Sequence, residues 1–576
     1  MRSSHRRSLA LASVVTLAAC SSSAWRTVGQ VAGDILRGAA VDTAALPRTR
    51  AERTRYAETS SHADVIAFVD SLQRLGLPIH VGTLAKSPDG REVPFVVASR
   101  PLVTTAAEAR RTGRPVLFVQ GNIHAGEVEG KEALLALLRD LLASGRANAL
   151  DSVVLVAVPI YNADGNDKLA SQARNRGSQN GPEMVGERPN GQGLDLNRDY
   201  IKAEAPETRG ALALMSAWDP DVFVDLHTTN GSYHGYALTY APALGFADPG
   251  GLARGTELVR DELLPELRRR MQARHGFATF DYGNFSNAFG REENETPNAW
   301  LTYDHRPRFG TNYVGLRGRV AILSEAYSHD PFETRVRATR AYVQEILSLV
   351  AERRGAIVAH NRAADSLLAA WGRGGANAPA LPLRYELTKT PYQGDVIAED
   401  LELVAASAPR PEPGVRAGFR RTGRFRTIRM PVHDRFTPTL RRALPRAWAV
   451  PAAEAELIAA LRRHGVTVER LTSAAADVSL ETFAVDSIAT AARPFQGHRE
   501  VRLTGRWSTA RRTLAPGTFV VPADQPLSAL AQWLLDPESD DSFATWNGLD
   551  RSLAVGREYP VARVTEVVRA SRRTVD

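Results

Sequence analysis

The sequence contains almost no cysteine, since Cys20 is the single one among 576 residues. One cysteine excludes an intramolecular disulfide and any zinc site built from several thiolates. The sequence also has no HExxH motif, which excludes the helical metal site of the zincin proteases. The net charge of +8 is not accompanied by the alternation of basic and aromatic residues that is typical of nucleic-acid binding. We therefore expect no nucleic-acid partner.

The position of Cys20 indicates a lipid anchor. Arg2, His5, Arg6 and Arg7 form a basic start, and residues 9–17 form an apolar stretch that is too short to span a bilayer, which needs about 20 residues. The following run, Leu17-Ala18-Ala19-Cys20, resembles a bacterial lipobox, in which the cysteine is acylated and becomes the mature N-terminus. We therefore expect a protein attached by lipid to the bacterial cell envelope, on its periplasmic or extracellular face.

Composition and pattern then divide the chain. The content of 43% hydrophobic and 24% charged residues is ordinary for a globular protein. We assign residues 1–20 to the signal peptide, 21–55 to a tether and lead-in, 56–370 to a large α/β domain, 371–380 to a linker and 381–576 to an accessory region. Apolar strands alternate with helical patterns in 56–370, which predicts a mixed, mostly parallel sheet sandwiched by helices. The accessory region has an α+β pattern with no catalytic motif.

The first candidate metal ligands lie where an apolar strand gives way to a helix. The strand Val116-Leu117-Phe118-Val119 leads into Asn122-Ile123-His124-Ala125-Gly126-Glu127, and a helical pattern follows from Lys131 to Leu142. His124 and Glu127 are three residues apart on this turn, so both can reach one small cation. An imidazole nitrogen and a carboxylate oxygen are both good zinc ligands, and a catalytic zinc needs one more protein ligand.

Further candidates occur in the order NADG at 162–165, DLNRD at 195–199, DLH at 225–227 and SE at 324–325. His227 and Glu325 each end an apolar strand. In an open α/β sheet, the carboxyl ends of the strands line the ligand crevice. The pattern therefore predicts that both side chains lie in one functional crevice.

This ordered set of motifs resembles the funnelin-type zinc metallocarboxypeptidases, the family of carboxypeptidase A. The resemblance covers roughly residues 79–349, and its upstream edge is the hairpin-like run from Gly82 to Arg91. It implies a hydrolase with one zinc ion per chain, held by His124, Glu127 and His227. It also implies a peptide substrate with a free C-terminal carboxylate.

The resemblance further implies roles for other residues. Glu325 would be the general base, Asn197 and Arg198 would bind the terminal carboxylate of the substrate, and Asp195 would orient the first zinc histidine. Arg176 would stabilise the oxyanion, with Arg174 as the alternative. Tyr303 would close over the substrate, with Tyr313 as the alternative.

Other activities remain open at this stage. The same zinc site could serve a deacylase or a peptidoglycan-peptide carboxypeptidase, and a non-catalytic binding lipoprotein is the third possibility. The sequence does not define the preferred C-terminal side chain, the oligomeric state or the role of residues 381–576.

Overall fold

The computed structural model describes residues 45–245, 257–286, 298–375, 378–405 and 413–575. Pro47–Asp576 form one compact unit. Cys20, the signal peptide and most of the predicted tether lie outside the described residues. Within the described part, no helix combines the length and the apolar character that crossing a membrane requires. The predicted boundaries at residues 370 and 381 stay predictions.

The α-helices are α1 Arg50–Arg53, α2 His62–Arg74, α3 Ala106–Thr112, α4 Glu129–Ala143, α5 Ala163–Asp167, α6 Gln172–Asn175, α7 Pro206–Trp218, α8 Leu264–His275, α9 Gly310–Leu316, α10 Phe332–Gly372, α11 Ala455–Arg463 and α12 Ser528–Leu535. Short 3₁₀ turns lie at Ala149–Asp151 and Leu196–Arg198, and a π-helical segment at Leu258–Leu263 leads into α8.

The strands of the first half are β1 Ile79–Lys86, β2 Glu92–Ala98, β3 Val116–Gly121, β4 Val154–Val158, β5 Ala170–Ser171, β6 Met184–Val185, β7 Val222–Thr228, β8 Leu238–Pro242, β9 Thr279–Asp281, β10 Asn284–Phe285, β11 Trp300–Leu301 and β12 Val320–Ala326. Those of the C-terminal region are β13 Leu381–Leu387, β14 Tyr392–Leu403, β15 Phe419–His433, β16 Phe436–Arg442, β17 Ala447–Val450, β18 Glu469–Leu471, β19 Ala475–Thr490, β20 Val501–Leu514, β21 Phe519–Pro522, β22 Ala562–Val564 and β23 Arg572–Thr574.

The central sheet has eight strands in the order β1-β2-β4-β3-β7-β12-β8-β9. Its middle strands β4, β3, β7 and β12 run parallel. Strands β1 and β2 pair antiparallel with their neighbours, and β8 is antiparallel to β12 but parallel to β9. Every residue of the four middle strands is buried. A strand buried along its whole length is covered on both faces of the sheet, so the predicted α/β sandwich is confirmed.

Helices cover both sides of this sheet. On one side, Leu214, Met215 and Trp218 of α7 pack against β3 and β4. Helices α4 and α10 pack on each other, and α4 also contacts β3 and β7. Because the middle strands are parallel and adjacent, their carboxyl ends open at the same edge, next to the start of α4.

The C-terminal region packs directly on this core. Strands β14 and β15 join β10 and β11 in one four-stranded sheet. A seven-stranded sheet follows in the order β20-β19-β22-β17-β21-β18-β23. The largest apolar cluster contains residues of both parts, among them Phe118 and Trp533. The accessory region therefore shares its hydrophobic core with the sheet that carries the candidate ligands.

Helix α10 differs from the sequence-based expectation, because it passes the predicted domain boundary at residue 370. It extends from Phe332 to Gly372, because its later turns also bury apolar residues such as Ile357, Leu368 and Trp371. The first residues of the predicted linker are thus helical, and residues 376 and 377 lie outside the described part. Ser61 caps the start of α2, since its side chain accepts a hydrogen bond from the backbone N–H of Asp64.

Candidate metal centre

The turn between β3 and α4 places His124 and Glu127 side by side. It begins at Asn122, whose positive φ of 64° turns the chain away from the strand. The Asn122 side chain then donates to the backbone carbonyls of Ala125 (3.2 Å) and Glu127 (3.3 Å), which closes the turn. Gly126 is required here, since a Cβ at this position would lie 2.6 Å from Cγ of Arg176.

Three ligand atoms converge at this turn. His124 Nδ1 lies 3.1 Å from one carboxylate oxygen of Glu127, and His227 Nδ1 lies 3.0 Å from the other. The two Nδ1 atoms are 3.2 Å apart, and all three ligand atoms lie within 4.8 Å of one another. All three residues are buried. The structure therefore brings together the complete predicted ligand set.

A buried carboxylate stands behind each imidazole. Nε2 of His124 donates to Asp195 (3.0 Å), and Nε2 of His227 lies 2.9 Å from Asp225. An acceptor at Nε2 holds the proton on that nitrogen and leaves the Nδ1 lone pair available to a metal. Asp225 was not singled out in the sequence, although its position two residues before His227 places both side chains on the same face of β7.

Charges around the cluster favour a bound cation. Although burial opposes it, His124 and Arg176 hold the pKa of Glu127 well below its usual range, so this carboxylate is ionised. Although burial also opposes it, Asp225 and Glu127 raise the pKa of His227 well above its usual value in the metal-free protein. Two nitrogens and an ionised carboxylate, with oriented imidazoles, form a donor set that fits zinc.

Glu325 lies next to this cluster. It ends β12, and in the parallel pairing of β12 with β7 it stands opposite His227. Burial raises the pKa of Glu325 to about 8. Its Oε2 atom is buried and accepts no hydrogen bond from the described residues. A carboxylate without a partner beside a metal-ligand set can take up a proton, as the predicted general base requires.

Arg176, not Arg174, reaches the cluster. Arg174 is exposed, whereas Arg176 is buried and donates to Glu127 (3.0 Å) and to the backbone carbonyls of Thr228 (3.1 Å) and Thr229 (3.2 Å). Its guanidinium is thus engaged in holding a metal ligand. The role of Arg176 in stabilising an oxyanion stays a prediction.

Asn197 and Arg198 also lie at the site. Asn197 Oδ1 accepts a hydrogen bond from the Gly310 backbone N–H (2.9 Å), which directs its Nδ2 group toward His227, 3.4 Å from Nε2. The Arg198 guanidinium stacks over the Phe309 ring at 4.0 Å and donates to the Asn197 carbonyl (2.8 Å). A guanidinium has five N–H donors, so Arg198 keeps donors for a ligand.

The two candidate tyrosines differ in position. Tyr313 is fully buried in α9, and its hydroxyl hydrogen-bonds to His464 (2.9 Å). Tyr303 is partly exposed, packs edge-on against Phe309 and donates to Asn312 (3.2 Å). The Tyr303 ring therefore packs on the ring beneath Arg198, whereas Tyr313 contacts Phe309 through a backbone hydrogen bond (2.9 Å). The choice of Tyr303 over Tyr313 as the residue that closes over the substrate stays a prediction.

One further arginine at the site was missed in the sequence. Arg188 donates to Asp195 (2.9 Å), and its guanidinium lies 3.5 Å from Glu127. Its surrounding sequence, Gly186-Glu187-Arg188-Pro189, has no recognisable metal-site pattern. His234, the other histidine near His227, is enclosed by Tyr236, Trp300 and Tyr327, and burial lowers its pKa to about 3. It is a core residue.

The fold and the site define an α/β protein with a buried His–Glu–His cluster that could hold a metal ion, at the carboxyl ends of parallel strands. Residues 66–288 match the family model described as zinc carboxypeptidase. This segment contains all three metal ligands, while Glu325 follows it. The predicted resemblance and the predicted enzyme class, a zinc metallocarboxypeptidase, are confirmed.

Relatives extend beyond that segment. Carboxypeptidase 2 of Trichophyton tonsurans is 22% identical over 499 residues, which cover 83% of this chain and 81% of the relative. Carboxypeptidase 2 of Trichophyton rubrum is 21% identical over 503 residues with the same coverage. Among solved structures, a metallo-carboxypeptidase from Burkholderia cenocepacia is 16% identical, and the alignment covers 51% of this chain and 69% of that chain with a TM-score of 0.36. Carboxypeptidase A from Helicoverpa armigera is 14% identical, and the alignment covers 58% of this chain and 81% of that chain with a TM-score of 0.37.

The position of Asp225 gives a test of the centre. We expect Asp225→Asn to weaken zinc binding by about 10- to 100-fold, because the amide cannot hold the His227 proton on Nε2 as a carboxylate does. Competition with a chromophoric chelator measures this affinity. Asp219→Asn is the control, since Asp219 precedes the same strand but is exposed and pairs with Arg319. Equal zinc affinity of Asp225→Asn and the wild type would contradict the assignment.

Proposed function

We propose that the protein is a lipid-anchored carboxypeptidase that hydrolyses the C-terminal bond of peptides in the bacterial cell envelope, with one zinc ion per chain and Glu325 as general base. The observation that carries the proposal is the position of Arg198. Its guanidinium is mostly buried, stacks on Phe309 and lies in the crevice beside the metal ligands. A planar fork of N–H donors there suits a carboxylate group.

Each residue of the site has a definite part in the proposed reaction. His124, Glu127 and His227 would hold the zinc ion, which when bound would supply the Lewis acidity for activating water and polarising a carbonyl. Glu325 accepts the proton of the attacking water and returns it to the leaving amine. Burial raises the pKa of Glu325, which makes it a stronger proton acceptor than an exposed carboxylate.

The carboxylate end of the substrate is bound by the neighbouring loop. The Gly310 N–H fixes the orientation of the Asn197 amide, so that Nδ2 serves as a donor. Arg198 adds charge-assisted hydrogen bonds to the same carboxylate. The partly exposed ring of Tyr303 packs on Phe309 and can cover the bound residue. Together these groups place the bond to be cleaved next to the metal ligands and Glu325.

The first prediction concerns Glu325. Glu325→Gln removes the proton acceptor but leaves the three ligands intact, so we expect zinc to remain bound while kcat falls by about 10²- to 10⁴-fold. Zinc content per chain and kcat are measured on the same preparation. Glu333→Gln, at the start of α10 and paired with Arg337, is the matched control. A Glu325→Gln enzyme with normal kcat would rule out this residue as the base.

The second prediction concerns the terminal carboxylate. We expect the wild type to cleave N-blocked peptides with a free C-terminus far better than their C-terminal amides. Arg198→Ala should lower kcat/KM for the free acids by at least about 10-fold, since hydrogen bonds to a charged group are lost, and should change the amides little. Arg198→Lys should have a kcat/KM for the free acids between those of the wild type and Arg198→Ala, because lysine keeps the positive charge but not the planar pair of N–H donors.

The amide comparison also separates the alternatives. If the wild type cleaves free acids and amides equally well, the carboxypeptidase proposal fails, and the zinc site serves a deacylase. Turnover of cell-wall stem peptides alone would indicate a peptidoglycan-peptide carboxypeptidase. Zinc binding without turnover of any of these substrates would indicate a binding lipoprotein.

The third prediction concerns the anchor, which rests on the lipobox-like run at Cys20. Cys20→Ser should abolish acylation and move the protein from the membrane fraction to the soluble envelope fraction or leave it uncleaved. Incorporation of labelled fatty acid and fractionation of cells measure the two effects. Ser22→Ala, in the same segment, should leave both unchanged. An unchanged membrane fraction for Cys20→Ser would mean that another feature holds the protein there.

A further inference from the structure

The loop between β19 and β20 in the C-terminal region ends in a tight turn from Phe495 to His498. The backbone N–H and carbonyl groups of these two residues are paired reciprocally, at 2.7 and 3.0 Å. The two residues between them, Gln496 and Gly497, both have positive φ, at 51° and 81°. This is the backbone of a two-residue type I′ hairpin turn.

Gln496 is an unusual residue at this position. The first central position of a type I′ turn favours Asn, Asp or Gly, because these residues tolerate positive φ. Glutamine has no such preference, so the turn alone does not account for it. A residue that breaks a local preference is expected where a functional contact compensates.

The contact made by Gln496 lies in the metal centre. Its side-chain Oε1 accepts a hydrogen bond from the backbone N–H of Asp195, at 2.8 Å. Asp195 in turn accepts the Nε2 proton of His124 at 3.0 Å. Gln496 is therefore two hydrogen bonds away from a metal ligand, although 301 residues separate it from Asp195 in the sequence.

Further contacts hold the loop in this place. His498 Nε2 lies 2.8 Å from a carboxylate oxygen of Glu204, just beyond the Asn197-Arg198 segment. Glu500 pairs with Arg308 at 2.6 Å, next to Phe309. The loop thus contacts both the segment that carries Arg198 and the segment on which Arg198 stacks.

We propose that Gln496 is a positioning residue of the metal centre, supplied by the C-terminal region, which acts by fixing the backbone of Asp195 and through it the orientation of His124. The inference rests on the proposed zinc site. It gives residues 381–576 a part in the reaction without any catalytic group of their own.

The test compares variants of the full chain that separate the loss of the hydrogen bond to Asp195 from a change in the stability of the turn. Gln496→Asn suits positive φ better but is one methylene shorter, so it should keep or raise the melting temperature and yet weaken zinc binding about three- to tenfold. Gln496→Glu keeps an acceptor at the same reach and should bind zinc at least as tightly as the wild type. Arg493→Ala, exposed in the same loop, is the control.

Zinc affinity is measured by chelator competition, and melting temperature on the metal-free proteins. Equal zinc affinity of Gln496→Asn and the wild type would overturn the inference, and so would a loss of affinity in Gln496→Glu or Arg493→Ala as large as in Gln496→Asn. A wild-type protein that binds no zinc would instead overturn the proposed function, and the inference with it.

Discussion

The whole site depends on one arrangement, in which buried carboxylates behind two imidazoles turn both Nδ1 atoms toward the same point. Without Asp195 and Asp225, each histidine could place its proton on either nitrogen, and the lone pairs would not converge. Burying carboxylates is costly unless they are paired or hydrogen-bonded. Here Arg188 pairs with Asp195, and the Gln120 amide donates to Asp225 at 3.0 Å. The orientation of the ligands is thus fixed by groups outside the three-ligand set.

This constraint explains why the C-terminal region packs so closely on the catalytic part. The segment with Asp195 and Arg198 is a 3₁₀ turn flanked by irregular chain, and such a segment is held by few backbone hydrogen bonds of its own. Contacts from outside supply the rigidity. Buried Asp541 accepts hydrogen bonds from Arg308, while Gln496 and His498 bind the other side of the same crevice. A crevice built on loops is thus held by side chains from loops of the C-terminal region.

Much of the site could be predicted from the sequence, because its signals are local. His124, Glu127, His227 and Glu325 all follow apolar strands, and parallel strand ends meet at one edge of a sheet. Asp225 was also within reach, since alternation along β7 places it on the same face as His227. Arg188 and Gln496 were not predictable in this way, because their partners are set by tertiary packing and no spacing rule connects them.

The length of helix α10 is likewise set by tertiary packing that the local sequence does not reveal. Its start and type follow from the apolar periodicity after Pro331, but its continuation to Gly372 depends on the C-terminal region that its last turns meet. A Cβ at Gly372 would lie 1.9 Å from the carbonyl oxygen of Ala523, so the backbones touch there. Local propensity could not show that contact, and the glycine looked like the start of a linker.

Glu325 departs from the rule that buried polar atoms are paired. Asp195, Asp225 and Glu127 each have hydrogen-bond donors, whereas Oε2 of Glu325 has none among the described residues. A donor there would stabilise the ionised form and make the carboxylate a weaker base. Leaving it unpaired costs stability and keeps its pKa high. The same burial that makes this position unfavourable for folding therefore makes Glu325 suitable for accepting a proton. A cation at the adjacent site would supply the positive counter-charge that the ionised carboxylate otherwise lacks.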